Sequence, residues 1–222
     1  MYKLSKRLLD IIVSIVALTL LLPLFISIII LLRITAEGEV FYFQERIGLK
    51  NSRFQIWKFA TMLKNSMNMG TGSITLQNDF RVTPIGKFLR KTKINELPQI
   101  LNILKGDISL VGPRPLVIND FEAYPFDIQE IIYNVKPGLT GLGSIVFRDE
   151  EKIISENYDK IDPHKYYREI IAPYKGELEI YYQRNQSLLL DFKIVFMTAW
   201  VILFPESRLY VKWFKNLPRR KF

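Results

Sequence analysis

Apolar and polar positions follow three different rhythms along this chain. Between Ile11 and Leu32 there is no alternation: 22 consecutive residues carry no charge and are interrupted only by Ser14, Thr19, Pro23 and Ser27. A helix over that run would be about 33 Å long at about 1.5 Å per residue, enough to cross a hydrocarbon core. The run is longer than the apolar part of a cleaved signal peptide, and no small-residue cleavage site follows it. Pro23 lacks an N–H and crowds the preceding turn, which predicts a kink at mid-run. Lys3, Lys6 and Arg7 precede the run and Arg33 follows it. The positive-inside rule then draws both flanks to the cytoplasm. A helix that enters, bends at Pro23 and returns satisfies both flanks; a signal anchor spanning once is the alternative.

The middle of the chain reads as short elements. VFYFQ (40–44) and FQIWKF (54–59) are rich in β-branched and aromatic residues, and Gly48 to Ser52 separate them, which predicts a hairpin. The stretch from Asn65 to Asn78, with Ser66, Gly70, Gly72 and Ser73, reads as a mobile loop. Thr83-Pro84 is an N-cap followed by a first-turn proline and predicts a basic helix over 84–91. Asn95 can cap a helix that tolerates Pro98 in its first turn and ends at Lys105-Gly106. VGPRP (111–115) and KPGLTGLG (136–143) are Pro/Gly loops. From Asp149 onward acids and aromatics fall at helical spacing, ending in a helix from about Glu177 to Phe204. Within it Ile194 to Phe204 is apolar apart from Thr198, but 11 residues are too few to span. It reads equally as a buried core helix or an interfacial one. In RLYVKWFKNLPRRKF (208–222) Tyr210, Trp213 and Phe214 interleave with bases, the composition of an interfacial tail. The expected organisation is a membrane helix over 1–35, a catalytic domain over 36–204 and a basic aromatic tail over 205–222. The fold class is α+β and membrane-associated.

Charge sharpens this. The net charge of +9 is carried by two patches, residues 81–93 at +5 and residues 208–222 at +6, neither containing an acid. Such patches suit anionic lipid, phosphate or nucleic acid. A nucleic-acid binder leaves the apolar run unexplained, so no nucleic acid is expected among the partners. The chain has no Cys, which excludes disulfides and thiolate metal sites, and its single His, His164, argues against an imidazole-based zinc site or a Ser-His triad as the chemistry. Its chemistry must use carboxylates, lysines, arginines or a hard cation held by oxygen. The candidates are Lys58 at a strand end, Asn95 and Glu96 after the basic stretch, Asp107, Arg90 and Arg114, the latter in a rigid Pro-Arg-Pro loop, and Asp191 inside LLLDFKIVF. Each also has a purely structural reading. Asn95 would be a cap, Glu96 a dipole complement, Lys58 a snorkelling side chain and Asp191 a partner of Lys193 or Arg184.

Taken in order, KRLLD, the Pro-broken apolar run, FQxRxG, FxxxKFxTM, DxRxTxxGxxLRKT, NELPQxxNxLKGDxSLVGPRP, KPGLTG and SLLLDFKI resemble the bacterial sugar transferases, the monotopic polyprenyl-phosphate phosphoglycosyl transferases. The resemblance covers residues 3–144 and 187–194. It implies that a UDP-sugar gives its sugar phosphate to a carboxylate with loss of UMP. Polyprenyl (undecaprenyl) phosphate then takes the phosphosugar, the first step of surface glycan assembly such as O-antigen or capsule. It also implies Mg²⁺ as cofactor, with Glu96 and Asp191 as its ligands and Lys58, Arg90 and Arg114 on the phosphates. The implied setting is the cytoplasmic face of the bacterial inner membrane. Membrane lipid, a second copy of the chain and downstream glycosyltransferases are the further implied partners.

Two positions depart from the family pattern. Asn95 stands where the family has the Asp expected to act as nucleophile, and an amide oxygen is a poor one. Either Glu96 takes over, or the acceptor attacks the donor directly, or Asn95 is an introduced trap, or the chain is an impaired scaffold that binds lipid or partner glycosyltransferases. Ala60 stands where the family has an Arg, so one basic contact is missing.

Overall fold

The computed structural model describes residues 1–35, 37–71, 74–76, 78–157 and 159–220. Gly72 and Ser73 of the loop expected over 65–78, and Lys221 of the tail, lie outside the described residues. The fold is α+β, as the patterning implied.

Helix α1 (Tyr2–Thr35) runs through Pro23 as one helix. It is long and apolar enough to cross a membrane, and Leu8, Ile12, Ile15, Leu20, Ile26 and Ile30 are exposed along it. The apolar run and its exposure make this a membrane-associated chain. Yet both halves of α1 are tied to the rest of the protein. Near its start, Arg7 donates to the carbonyls of Ile103 (2.6 Å) and Leu104 (2.8 Å), and buried Asp10 accepts from the Leu110 N–H at 3.1 Å. Further along, Phe25, Ile28 and Leu32 pack against Phe59 and Leu89.

Strands β1 (Phe41–Ile47) and β2 (Arg53–Phe59) form the expected antiparallel hairpin, in a register that sets Tyr42 opposite Lys58. Cross-strand aromatics hold it, with Phe43 and Trp57 edge to face at 4.8 Å. The loop that follows is not slack. Fully buried Arg81 pairs with Asp79 at 2.6 Å and donates to the carbonyls of Ser66, Met69 and Ile74. A buried guanidinium must be satisfied by such partners, and meeting that need pins the loop.

Helix α2 (Pro84–Lys91) starts as its sequence predicts, with the Thr83 hydroxyl accepting from Gly86 N–H at 3.0 Å. The helix expected to begin at Asn95 does not. Ile94–Glu96 is a single 3₁₀ turn entered through Lys93 at φ 61°, and α3 (Gln99–Lys105) starts only after Pro98. Pro98 has no N–H with which to continue the ladder back to Ile94, so turn and helix stay separate and Asn95 caps nothing. Gly106 closes α3 at φ 98°, as expected.

The two Pro/Gly loops meet as a pair of short parallel strands, β3 (Ser109–Val111) and β4 (Gly138–Thr140). A β-carbon on Gly112 would lie 2.4 Å from the Lys136 carbonyl oxygen, and one on Gly138 would lie 2.1 Å from Gly112 N, so only glycine permits this approach. Helices α4 (Ile118–Glu122) and α5 (Phe126–Ile131) lie between the strands in sequence. After β4 come α6 (Leu142–Val146), α7 (Glu150–Asn157) and α8 (Pro163–Tyr166). A π turn over Tyr167–Ile171 leads from α8 into α9 (Ala172–Arg184). The single helix expected over 177–204 is broken, because Ser187 adopts an extended conformation and caps α10 (Leu188–Leu203). Helix α10 serves both readings offered for it: Leu190, Ile194, Met197 and Val201 enter the main core, while Phe192, Val195, Phe196 and Leu203 face outward. In the tail, α11 (Leu209–Trp213) stacks Trp213 on Phe196 at 4.9 Å.

Candidate active site

The hairpin, the 3₁₀ turn and the Pro-Arg-Pro loop converge on one buried ion cluster. Lys58 on β2 donates to Glu96 Oε1 at 3.3 Å, and Arg114 Nη2 reaches the same oxygen at 3.5 Å. Arg114 is held from behind: its carbonyl accepts from the Tyr133 hydroxyl at 2.6 Å, and that hydroxyl accepts from Leu116 N–H at 2.9 Å. Pro113 and Pro115 on either side remove backbone freedom, so the guanidinium is positioned before any ligand arrives. Burial alone would push the Glu96 carboxyl up. Lys58, Arg114 and Lys93 together outweigh burial and hold it far below the ordinary carboxylate range. Lys58 shows the converse. Burial pulls its ammonium down, Glu96 supports it, Arg114 and Arg46 oppose it, and it settles at about 7.

A cavity of about 730 Å³ opens onto this cluster. Lys58, Arg90, Arg114 and Asn95 line it, so four of the residues singled out from the sequence share one space. Glu96 stands behind Lys58 and Arg114 as their counter-charge. Asn95 is only 7% exposed, and its Oδ1 has no hydrogen-bond partner. A buried amide oxygen left unmatched at a cavity wall is set to accept from a ligand or to bind a cation. Ala60, the other departure, lies in the same wall.

Asp191 is elsewhere. Its carboxylate accepts from Tyr2 (2.9 Å), Lys6 (2.8 Å) and Tyr182 (2.8 Å), and it does not line the cavity. It pairs with neither Lys193 nor Arg184, and it shares no partner with Glu96. The structure thus does not assemble the expected Glu96–Asp191 metal pair, because the acid in the apolar helix is already neutralised by the start of α1. Asp107 is structural, accepting from Asn102 at 3.0 Å.

Among the described residues no group of three or more acids and histidines gathers for a metal. Mg²⁺ needs only one or two protein carboxylates beside substrate phosphates and water. Glu96 and the unmatched Asn95 oxygen fit that donor set.

Four contributors escaped the sequence reading. Arg46, in the FQxRxG motif, lines the cavity and bonds the Pro115 carbonyl at 3.1 Å. Glu150 and Lys175, 25 residues apart, meet at 2.7 Å in the opposite wall, where Lys175 is 5% exposed and lies 5.2 Å from the Phe147 ring centre and 5.3 Å from that of Tyr167. Glu179 is buried and pushed up to about 8, chiefly by that burial, against the pull of the Arg114 and Gly143 N–H groups and Lys175. For Glu150, Lys175 and Glu179 the only sequence signal was an acid or base at a core-facing helical position. Arg90, expected on phosphate, pairs with Glu151 at 2.5 Å.

The profile described as "Bacterial sugar transferase" matches residues 1–205. The chain is 35% identical over 209 residues to the UDP-N-acetylgalactosamine-undecaprenyl-phosphate N-acetylgalactosaminephosphotransferase of Aeromonas hydrophila, covering 91% of this chain and 44% of that protein. It is 36% identical over 197 residues to the UDP-glucose:undecaprenyl-phosphate glucose-1-phosphate transferase of Klebsiella pneumoniae, covering 87% of this chain and 39% of the relative. The chain therefore spans less than half the length of these two. Against the exopolysaccharide production protein ExoY of Sinorhizobium fredii it is 34% identical over 208 residues, covering 87% of this chain and 83% of the relative. With the profile running from the first residue to the end of α10, the chain belongs to the bacterial sugar transferase family.

Proposed function

We infer that this chain transfers a sugar-1-phosphate from a UDP-sugar to undecaprenyl phosphate. The observation that carries the reading is the cationic cavity, where Lys58, Arg114, Arg46 and Arg90 face one space beside a buried, unmatched Asn95 oxygen. Phosphoryl transfer asks a protein mainly for positioning and charge neutralisation, and these side chains offer both. The relatives named above act on UDP-sugars and undecaprenyl phosphate, which supports the same substrates here.

In the reaction, the bond from the sugar-bearing phosphorus to the bridging oxygen breaks and UMP leaves. The phosphosugar ends on the lipid phosphate. Arg114, held by Pro113, Pro115 and Tyr133, offers a fork to a phosphate. Lys58 adds a proton-dependent charge, and Glu96 keeps both cations in place. Mg²⁺, when bound, supplies further charge neutralisation on the diphosphate, and Glu96 with Asn95 Oδ1 are the residues that would hold it.

The lipid acceptor calls for a membrane surface beside the cavity. Helix α1 offers one along 1–35, and the aromatic basic tail over 205–222 another, flanking a catalytic domain over 36–204. The docking of both halves of α1 on the same domain supports a helix that re-enters rather than one that leaves. The basic flanks favour the cytoplasmic face of the inner membrane for this domain.

The test is UMP release by the full chain in detergent, with undecaprenyl phosphate and a panel of UDP-sugars. At least one donor should give lipid-dependent turnover. Lipid binding without UMP from any donor would mean a scaffold rather than a transferase.

A further inference from the structure

We propose that Glu150, oriented by Lys175, reads the hydroxyl groups of the donor sugar, and that the wall around this pair is the sugar subsite. The proposal rests on the transfer reaction inferred above and deepens it by naming the residue that selects the sugar.

The cavity wall carries three kinds of chemistry. Lys58, Arg90 and Arg114 suit phosphate. Phe43 and Met67, with the amides of Gln44, Asn65 and Asn68, offer an apolar face beside donors and acceptors, which suits a flat base whose edge carries both. Glu150, Ile154, Tyr167 and Lys175 form a third group, brought together by α7, the π turn and α9. The phosphate-facing cations belong to the motifs that resemble the family. The third group falls within residues 145–186, which carry none of those motifs.

An acid in a cavity built for a diphosphate needs a reason. Ionised phosphate oxygens only accept hydrogen bonds and are repelled by a carboxylate, whereas sugar hydroxyls donate to one. Glu150 presents such an acceptor. Its side chain is 26% exposed and that of Lys175 only 6%, so a ligand meets the carboxylate with the ammonium behind it. Both Glu150 oxygens lie 2.7 Å from Lys175 Nζ, which also sits over the rings of Phe147 and Tyr167. The carboxylate is thereby oriented, and each oxygen keeps lone-pair capacity for a further donor.

Its place along the donor also fits. The sugar is bonded directly to a phosphate, so its reader must stand close to the phosphate cations. After Glu96, Glu150 is the carboxylate that acts most strongly on Arg114, the guanidinium positioned for phosphate. The buried, unmatched Asn95 Oδ1 is a separate sign that this space is built around a ligand. The sugars that suit a carboxylate are neutral ones with hydroxyl or amide N–H donors, because an acidic sugar would set like charges together.

The test measures dissociation constants by titration calorimetry on the full-length protein in detergent. The probes are UDP-glucose, UDP-galactose, their 2-acetamido counterparts and the β-phosphate methyl ester of UDP, which has the charge of a UDP-sugar but no sugar hydroxyls. Relative to the methyl ester, Glu150→Gln should weaken the tightest-binding UDP-sugar about 10- to 100-fold. Glu150→Met combined with Lys175→Met, which leaves no charge buried alone, should weaken it as much. Replacing one hydroxyl of that sugar by fluorine should cost the unsubstituted protein a similar factor and cost Glu150→Gln almost nothing, since the two changes remove the same bond. An equal loss for the methyl ester and the UDP-sugar would put Glu150 on the nucleoside and overturn the proposal. No loss for either would leave the pair a purely structural one and overturn it too. Should neither variant fold, Glu150→Asp, which withdraws the carboxylate by one methylene, carries the same comparison. These constants need no turnover, so their failure leaves the transfer reaction standing; absence of binding by every UDP-sugar would instead sink that reaction.

Discussion

Lys58 makes binding of the donor depend on pH in a way whose size follows from the site. Its ammonium settles at about 7, against an ordinary 10.5. By simple titration only about one molecule in ten carries that charge at pH 8. A diphosphate placed beside it adds negative charge. One unit charge at about 4 Å, with an effective dielectric of about 20, favours the ammonium by about 4 kcal/mol, or about three pK units. That returns Lys58 to near its ordinary value, so binding at pH 8 should draw about 0.9 proton from the buffer and at pH 6 only about 0.1. Between pH 7 and pH 9 the apparent Kd for a UDP-sugar should rise about 50-fold, because an ever smaller fraction of the free protein is charged. Titration calorimetry in HEPES and in Tris at each pH reads the proton count from the two enthalpies. Lys58→Arg keeps its charge throughout, so its proton uptake should vanish and its Kd stay flat. Uptake below about 0.2 proton at pH 8 by the unsubstituted protein would refute the reasoning, as would equal uptake by the Arg variant. Stability without ligand has a definite sign. The folded chain releases this proton before the unfolded chain does, so the Lys58 contribution rises with pH between about 7 and 10.5, and its cost is fully present below about 7.

Glu179 predicts the opposite slope. With its carboxyl pushed up to about 8, the folded chain keeps a proton that the unfolded chain has lost, so stability falls from about pH 4.5 to about 8. Glu179→Gln should flatten melting temperature across that window, and an unchanged slope would remove Glu179 as its source. Arg7→Ala deletes two bonds to the end of α3 and should lower stability by about 2–3 kcal/mol, about 5–10 °C in melting temperature, with Arg7→Lys recovering less than half because an ammonium cannot fork onto two carbonyls. A shift under 1 °C in a detergent melt would show that the docking contributes nothing. For topology, single cysteines at positions 3 and 50 should both react only from the side that holds the catalytic domain. Reaction of position 3 from the opposite side would replace re-entry by a single span.

Short-range rules were legible in the sequence, and they were correct wherever backbone and nearest neighbours decide. Thr83-Pro84 starts α2 because a hydroxyl cap and a first-turn proline act within one turn. Gly106 ends α3 because only a left-handed residue closes it there. The aromatic runs around Gly48 to Ser52 form a hairpin, and the uncharged run from Ile11 is a long helix. The charged motifs around Arg90, Asn95 and Arg114 were legible as one site only through their resemblance to a family. What the sequence left open was the choice of partners. Lys6 and Asp191 are 185 residues apart, Arg7 and Ile103 are 96 apart, and Glu150 and Lys175 sit on different helices. Nothing in spacing or period connects such pairs, because a charge accepts any opposite charge that the fold brings near. Asn95 shows the same limit at close range. Its place before a helix allowed a reading as a cap, but Pro98 divides turn from helix, and the fold leaves Asn95 in the cavity wall with its Oδ1 unmatched. Local sequence therefore determined the elements, and only the tertiary structure decided which charges neutralise one another and which remain for a substrate, because burial and distance set the strength of those interactions.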